Sequence, residues 1–269
     1  MKNKKETLEL MKKDLIHGSS WYFDRALELL KDTGIEDLPE NLEAIKMLRP
    51  MGTLANIVEA LQGTKDEQEL KIKIENLKKY RTNAKNGLKK IAAKLEFRSF
   101  ITISYSSAIL SLLEISSPDR IYLMESRPGS EARKALKEYS RYSEISVVPD
   151  SAICGFIEKS GSVIIGADGI YSAGFAINKI GSRPLILCAK TLNVPVYVAM
   201  ESYKACNAGP STGTETDFRY CGQGIKVPLF EKIPLTEISH LITDAGIFAD
   251  PKPSDIKHMH DHFIWSISI

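Results

Sequence analysis

Apolar positions recur at helical spacing up to about residue 97, and beyond it short β-branched runs alternate with helix-length stretches. In the first part Met11, Leu15, Trp21, Ala26, Leu29 and Leu30 mark one helical face, which Gly34 and the Asp37–Asn41 stretch interrupt. Leu42, Ile45 and Leu48, then Leu54, Ile57, Val58 and Leu61, predict two shorter helices on either side of a kink at Pro50–Gly52. Leu77, Ala84, Leu88, Ile91 and Leu95 predict a long third segment, with Lys78, Lys79, Arg81, Lys85, Lys89, Lys90 and Lys94 on its other side. No aromatic platform interleaves with those cations, so the basic face reads as solvated helix surface rather than a nucleic-acid platform.

In the second part the predicted strands are Phe100–Ser104, Arg120–Glu125, Glu144–Val148, Ser162–Asp168, Val194–Met200, His240–Asp244 and a closing Phe263–Ser268. Ser106–Leu113, Ser130–Arg141, Ala152–Glu158 and Arg183–Leu192 lie between them and are long enough for helices. Continuous apolar strands alternating with helices imply a mainly parallel, doubly wound sheet. The expected fold class is therefore α/β, with a helical N-terminal domain over 1–96 and a Rossmann-like domain over 97–269. Asn207–Lys226, rich in Gly and Thr, reads as a long loop that could serve as a lid or contact surface.

Composition narrows the class without changing this picture. The 269 residues are 43% hydrophobic and 26% charged, which excludes disorder, collagen and a disulfide-stapled miniature fold. Thirty-six Lys and Arg against 34 Asp and Glu leave a net charge of +2, which points to no acidic partner. Cys154, Cys188, Cys206 and Cys221 form no C-x-x-C pair and read as reduced thiols. No apolar run approaches the roughly 18 residues of a membrane helix, and the charged start lacks a signal-peptide core. A soluble, cytoplasmic protein without membrane contact is expected.

In a parallel α/β sheet the chemistry collects at the carboxyl ends of the strands. The first strand runs into Tyr105-Ser106-Ser107, whose hydroxyls could cap the next helix or hold a phosphate. The second ends in Glu125-Ser126-Arg127-Pro128, where Arg127 is either a bidentate phosphate clamp or a surface arginine. The fourth ends in Gly166-Ala167-Asp168-Gly169, a carboxylate leaving an apolar strand, suited to acid–base work or to helix capping. Asn178-Lys179-Ile180-Gly181-Ser182 adds an amide and an ammonium beside a tight turn. His258, His260 and His262 would share one face of an extended backbone, yet no partner at matching spacing accompanies them, so no metal is expected. With neither G-x-G-x-x-G nor a P-loop after the first strand, no dinucleotide or other cofactor is expected either.

The segments Glu125–Pro128, Gly166–Ile170, Asn178–Ser182, Ala189–Val198 and Thr243–Gly246 together resemble one superfamily. It comprises the alpha, beta and delta regulatory subunits of translation initiation factor 2B and the sugar-phosphate isomerases acting on methylthioribose 1-phosphate and ribose 1,5-bisphosphate. Ile16–Ser20 and Arg49-Pro50 match further family segments, and the Asn-Lys-Ile-Gly element about ten residues after Gly-Ala-Asp is the most specific part. The resemblance implies a helical N-terminal domain, a Rossmann-like C-terminal domain and a homodimer formed largely through the latter. It places a catalytic aspartate at Asp168. It also places substrate contacts at Gly18, Ser19, Arg49, Ser106, Arg127, Glu131, Asn178 and Lys179.

Three positions depart from the isomerase pattern. His17 stands where isomerases have arginine, Glu131 where they typically have glutamine, and Ser104 where they have the catalytic cysteine. A thiol near pKa 8.5 can be pulled to a thiolate, whereas a serine hydroxyl without an adjacent base stays inert. The Tyr-Ser that follows Ser104 resembles the initiation-factor subunits. The expectation is thus a non-catalytic regulatory-subunit-like protein with a phospho-sugar or nucleotide-phosphate pocket and initiation factor 2 as a partner, and without direct nucleic-acid contact. The alternative is an aldose–ketose isomerase.

Overall fold

The computed structural model describes residues 4–14, 17–129, 131–207, 209 and 214–268. Expectations for Leu15, Ile16 and Ser130, and part of the expected 207–226 loop, lie outside this set.

Five helices come first: α1 Lys4–Lys13, α2 Ser19–Lys31, α3 Leu38–Lys46, α4 Gly52–Leu61 and α5 Glu67–Ala92. The longest, α5, starts where the Asp66 side chain accepts the Glu69 N–H at 2.8 Å. Glu67 and Glu69 in its first turn and Lys89 and Lys90 in its last complement the helix dipole. Leu70, Ile74 and Leu77 of α5 enter the core of the helical layer, while Leu88 and Ala92 pack under the sheet with Phe100 and Ile109. One helix therefore ties the two layers together.

The chain continues as β1 Ser99–Thr102, α6 Ser107–Leu113, β2 Arg120–Met124, α7 Ala132–Tyr139, β3 Glu144–Val148, α8 Cys154–Ser160 and β4 Val163–Ile165. Next come β5 Gly169–Tyr171, β6 Phe175–Lys179, α9 Ser182–Thr191, β7 Val196–Ala199, β8 Ala205–Cys206, β9 Glu215–Tyr220 and β10 Gln223–Pro228. The last elements are β11 Phe230–Pro234, β12 His240–Thr243, β13 Gly246–Ala249 and α10 Pro253–Ser268. The main sheet has seven strands in the order β13-β12-β7-β4-β1-β2-β3, parallel except for the antiparallel edge strand β13. Ile157 of α8 and Leu185, Ile186 and Ala189 of α9 cover one face, and residues of α5, α6 and α7 cover the other. That double cover is why Val163–Ile165 is apolar at every position and fully buried. A second sheet, β11-β6-β5-β8, stands beside it. The architecture is the expected one: N-terminal helices followed by a mainly parallel α/β sheet. Among the described residues no helix is long and apolar enough to cross a membrane.

Three expectations are corrected. Phe263–Ser268 is not a strand but the last part of α10, in which Ile256, Met259, His260, Phe263 and Ile267 are the buried positions. Their spacing of three and four is helical, and Phe263 and Ile267 complete the core of the N-terminal helices. His258, His260 and His262 consequently point in different directions, with His260 buried and the other two exposed. The 207–226 segment is not all loop: β9 and β10 form a hairpin turning at Cys221-Gly222, both at positive φ (48° and 81°). Two such residues are what a tight hairpin turn needs, and the surrounding Gly and Thr obscured the alternation of Phe218, Ile225 and Val227. Finally, Cys154 and Cys188 are not free thiols but a disulfide joining α8 to α9 across a 5.5 Å Cα separation. Two cysteines 34 residues apart carry no spacing signal, so only the packing of the helices reveals them.

Candidate functional site

Strands β2 and β3 lie on one side of β1 and β4 on the other, so the connections diverge above the β1–β4 pair. That switch point leaves a crevice outside the carboxyl ends of the two strands. The loops after β1 and β4 touch there: a Cβ on Gly166 would stand 2.6 Å from the Ser106 Oγ. A cavity of about 270 Å³ opens at this point, roofed by the start of α2 and by the Arg49–Met51 turn. Gly18, Ser19, Arg49, Ser104, Ser106, Glu131, Asp168, Asn178 and Lys179 all line it. Nine of the ten residues singled out in the sequence are thus brought together from six separate segments. Arg127 is the exception. Its side chain is exposed and does not line the cavity, and its backbone N–H donates to Asp150 Oδ2 at 2.7 Å.

Asp168 is fixed from several directions. Its Oδ1 accepts the Ser19 N–H at 3.2 Å, its carbonyl accepts the Gly52 N–H at 3.0 Å, and its own N–H donates to Ile177. Desolvation pushes its carboxyl above the usual range, against the opposing pull of the Lys204 ammonium. Ser106 caps α6 by accepting the Ile109 N–H at 3.4 Å. Its backbone is clamped by Tyr139, whose hydroxyl accepts the Ser106 N–H at 2.8 Å and donates to the Ser106 carbonyl at 3.1 Å.

Most cations around the cavity already have partners. Lys179 pairs with Glu131 at 2.5 Å, each side chain 6% exposed. Asn178 donates to Ser182 Oγ at 2.9 Å, which in turn donates to the Lys179 carbonyl. Arg49 gives hydrogen bonds to the Tyr22 hydroxyl and to the Lys12 and Asp14 carbonyls, and so holds the start of α2 in place. Sequence reasoning missed several lining residues. Lys204 is buried and paired with Glu201 at 2.8 Å, and Arg81 of α5 pairs with Asp24 at 2.7 Å. Lys134 lies 4.1 Å over the Tyr105 ring and has no carboxylate in ion-pair range among the described residues. A Glu-x-x-Lys pair directly after an apolar strand was the one available signal for Lys204.

No cysteine lines the cavity among the described residues. Cys206 lies behind it, its Sγ directed at the Gly52 carbonyl (3.3 Å) and Asn56 Oδ1 (3.1 Å), and burial pushes this thiol well up. Ser104 lines the cavity together with Tyr105, Ser106 and Ser107. The cavity therefore offers the desolvated carboxyl of Asp168, the buried carboxyl of Glu131, several hydroxyls and helix-terminal N–H groups, and a mouth bearing His17 stacked on Trp21 with ring centroids 4.6 Å apart.

This arrangement has relatives. A Pyrococcus furiosus protein described as translation initiation factor eIF-2B subunit 2-like is 29% identical over 266 residues, which is 91% of this chain and 96% of that protein. The ribose 1,5-bisphosphate isomerase of Methanocaldococcus jannaschii is 24% identical over 278 residues, with 90% of each chain covered. Among solved structures, translation initiation factor eIF-2B of Pyrococcus horikoshii OT3 superposes with a TM-score of 0.86 at 25% identity, over 95% of this chain and 99% of the other. The tetrameric eIF2B-beta2-delta2 complex from C. thermophilum shares the fold, with a TM-score of 0.66 at 14% identity over 96% and 94% of the two chains. The sequence pattern of the Initiation factor 2 subunit family matches residues 28–250, and the chain belongs to that family.

Proposed function

We propose that this chain is a non-catalytic relative of the eIF-2B subunits that binds a small phosphorylated molecule in the crevice between α2 and the β1–β4 switch point. One observation supports the reading: nine of the ten positions expected to contact ligand, all but Arg127, line one cavity, and among the described residues that cavity holds Ser104 but no thiol. A serine hydroxyl with no base beside it does not ionise near neutrality. The cavity can then recognise a sugar phosphate without turning it over, as a sensor would. Its protein partners are a second copy of the chain and initiation factor 2, in keeping with the oligomeric complex formed by the C. thermophilum relatives.

A second reading has its own support. The raised pKa of Asp168 is what an aldose–ketose isomerase needs from a group that protonates a ring oxygen and moves a proton between C1 and C2. One experiment separates the two. Purified protein is titrated calorimetrically with methylthioribose 1-phosphate and ribose 1,5-bisphosphate while ketose product is followed. Binding without ketose supports the sensor, and turnover that disappears in Asp168→Asn establishes the isomerase. A folded protein that binds neither compound defeats both.

A further inference from the structure

Three residues that depart from the isomerase pattern, His17, Ser104 and Glu131, line the cavity, and the surroundings of Glu131 are unusual. Glu131 is the residue preceding α7, 5% exposed, and its Oε1 takes the Lys179 ammonium at 2.5 Å. Its second oxygen, Oε2, is buried without a hydrogen-bond partner among the described residues. A buried carboxylate oxygen with no donor is costly to leave unsatisfied, and it can only accept. The Lys179–Glu131 pair carries no net charge, and Asp168 adds a second carboxyl to the same cavity. A phosphate placed at Lys179 would meet the Glu131 carboxylate at close range in a poorly solvated site, where like charges repel strongly. Among the described residues two lining cations have no carboxylate in ion-pair range. The Arg49 guanidinium is taken up by the Tyr22 hydroxyl and two backbone carbonyls, whereas Lys134 lies over Tyr105 without such bonds.

We propose that Glu131 sets the charge selectivity of the cavity. The Lys179 end takes a hydroxyl or amino donor, which satisfies Glu131 Oε2, and the Lys134 side takes one phosphate. The ligand class is a phosphomonoester of a polyol or sugar, and bisphosphorylated sugars are rejected at Lys179. This rests on the phosphorylated-ligand reading above and adds to it which end of the ligand is charged.

The test compares calorimetric affinities of the full chain for ribose 5-phosphate and ribose 1,5-bisphosphate, with inorganic phosphate as reference. The wild-type protein should prefer the monophosphate by roughly tenfold or more, the effect of one uncompensated charge at short range. Glu131→Gln frees the Lys179 ammonium and should bring the two affinities level or reverse their order. A wild-type protein that binds the bisphosphate as tightly as the monophosphate overturns the proposal, as does a folded Glu131→Gln protein with an unchanged ratio. Should Glu131→Gln fail to fold, the wild-type ratio decides by itself. Absence of binding to all three compounds defeats the phosphorylated-ligand reading, and this proposal with it.

Discussion

The backbone N–H of Ser104 donates to Ser126 Oγ at 2.8 Å, and both serines hold a left-handed backbone, with φ of 64° and 63°. The carboxyl ends of β1 and β2 thus turn together, and the turn directs Ser104 toward the cavity. Left-handed conformations cost roughly 1–2 kcal/mol in non-glycine residues, so neighbouring bonds must hold them. Ser126 Oγ also donates to the Met124 carbonyl at 3.0 Å, and its N–H donates to Asp150 Oδ1 at 3.0 Å.

Ser126→Ala removes the acceptor from the Ser104 N–H, with the Ser126 side chain fully buried and Ser104 half-buried. The expected loss is about 1–3 kcal/mol of unfolding free energy, measured by urea titration. Ligand affinity should fall as well, because Ser104 loses its anchor. Ser126→Gly relaxes the backbone yet still lacks the hydroxyl, so it should recover only part of the stability. Wild-type stability in Ser126→Ala would show that the hydrogen bond does not hold the turn.

Gly52 begins α4 where the helix meets the second sheet. A Cβ there would stand 2.5 Å from the Lys204 carbonyl, 2.9 Å from Cys206 Sγ and 3.1 Å from the Gly169 Cα. Backbone cannot yield as a flexible side chain can. Gly52→Ala should therefore cost about 1–3 kcal/mol, the usual range for overpacking. It should also weaken ligand binding, because the Gly52 N–H holds the Asp168 carbonyl. Gly63→Ala, where nothing lies within 4 Å but φ is 75°, is the control: it should cost stability without affecting binding. Equal binding losses in the two variants would contradict a role for Gly52 in placing Asp168.

Much of this was legible in the sequence. The strands announced themselves because a doubly covered parallel sheet needs unbroken apolar runs, and Val163–Ile165 has one. Asp168, Asn178 and Lys179 were legible because strand ends are where such folds expose chemistry. The closing helix was misread: a short stretch such as Phe263–Ser268 fits either period until its partners are known, and those partners are α4 and α5, about 200 residues earlier. Lys204 went unnoticed, and Arg81 was read as solvated helix surface although it lines the cavity, for a related reason. Each reaches the cavity through tertiary packing, and an ion pair such as Arg81–Asp24 leaves no mark in local spacing.

The Glu201–Lys204 pair is buried, each residue 3% exposed, at 2.8 Å. Burial is the largest influence on the Glu201 carboxyl and works to raise it, but the charge and hydrogen bond of Lys204, a backbone N–H and the Arg81 charge together outweigh it, and the group titrates below the usual range. Burial likewise works to lower Lys204, and the charge and hydrogen bond of Glu201 with the Tyr203 and Asp168 charges together outweigh it, so the ammonium persists to higher pH than an ordinary lysine. The pair's contribution is thus present at neutral pH. It is lost as pH falls through the depressed Glu201 value or rises through the raised Lys204 value. Lys204→Met alone strands a buried carboxylate and should cost about 3–5 kcal/mol. The double variant Glu201→Leu/Lys204→Met should recover most of that loss. A single variant costing under about 1 kcal/mol would mean that water or another cation reaches Glu201.

Asp168 joins stability to the proposed function with the opposite sign. Desolvation raises its carboxyl above the value it has in the unfolded chain, so between the two values the folded protein binds more protons. Stability therefore falls as pH rises through that window, and the ionised carboxylate burdens the fold at neutral pH. Asp168→Asn keeps an oxygen to accept the Ser19 N–H and removes the charge. The variant should melt at a higher temperature than wild type at neutral pH. That advantage should shrink to nothing as pH drops below the ordinary carboxylate range, where the wild-type group is protonated in both states. Melting curves of the two proteins across this range decide the matter. Parallel curves, or a variant less stable at neutral pH, would mean that the Lys204 ammonium already compensates the Asp168 charge. The residue would then be held for structure rather than kept strained for a ligand.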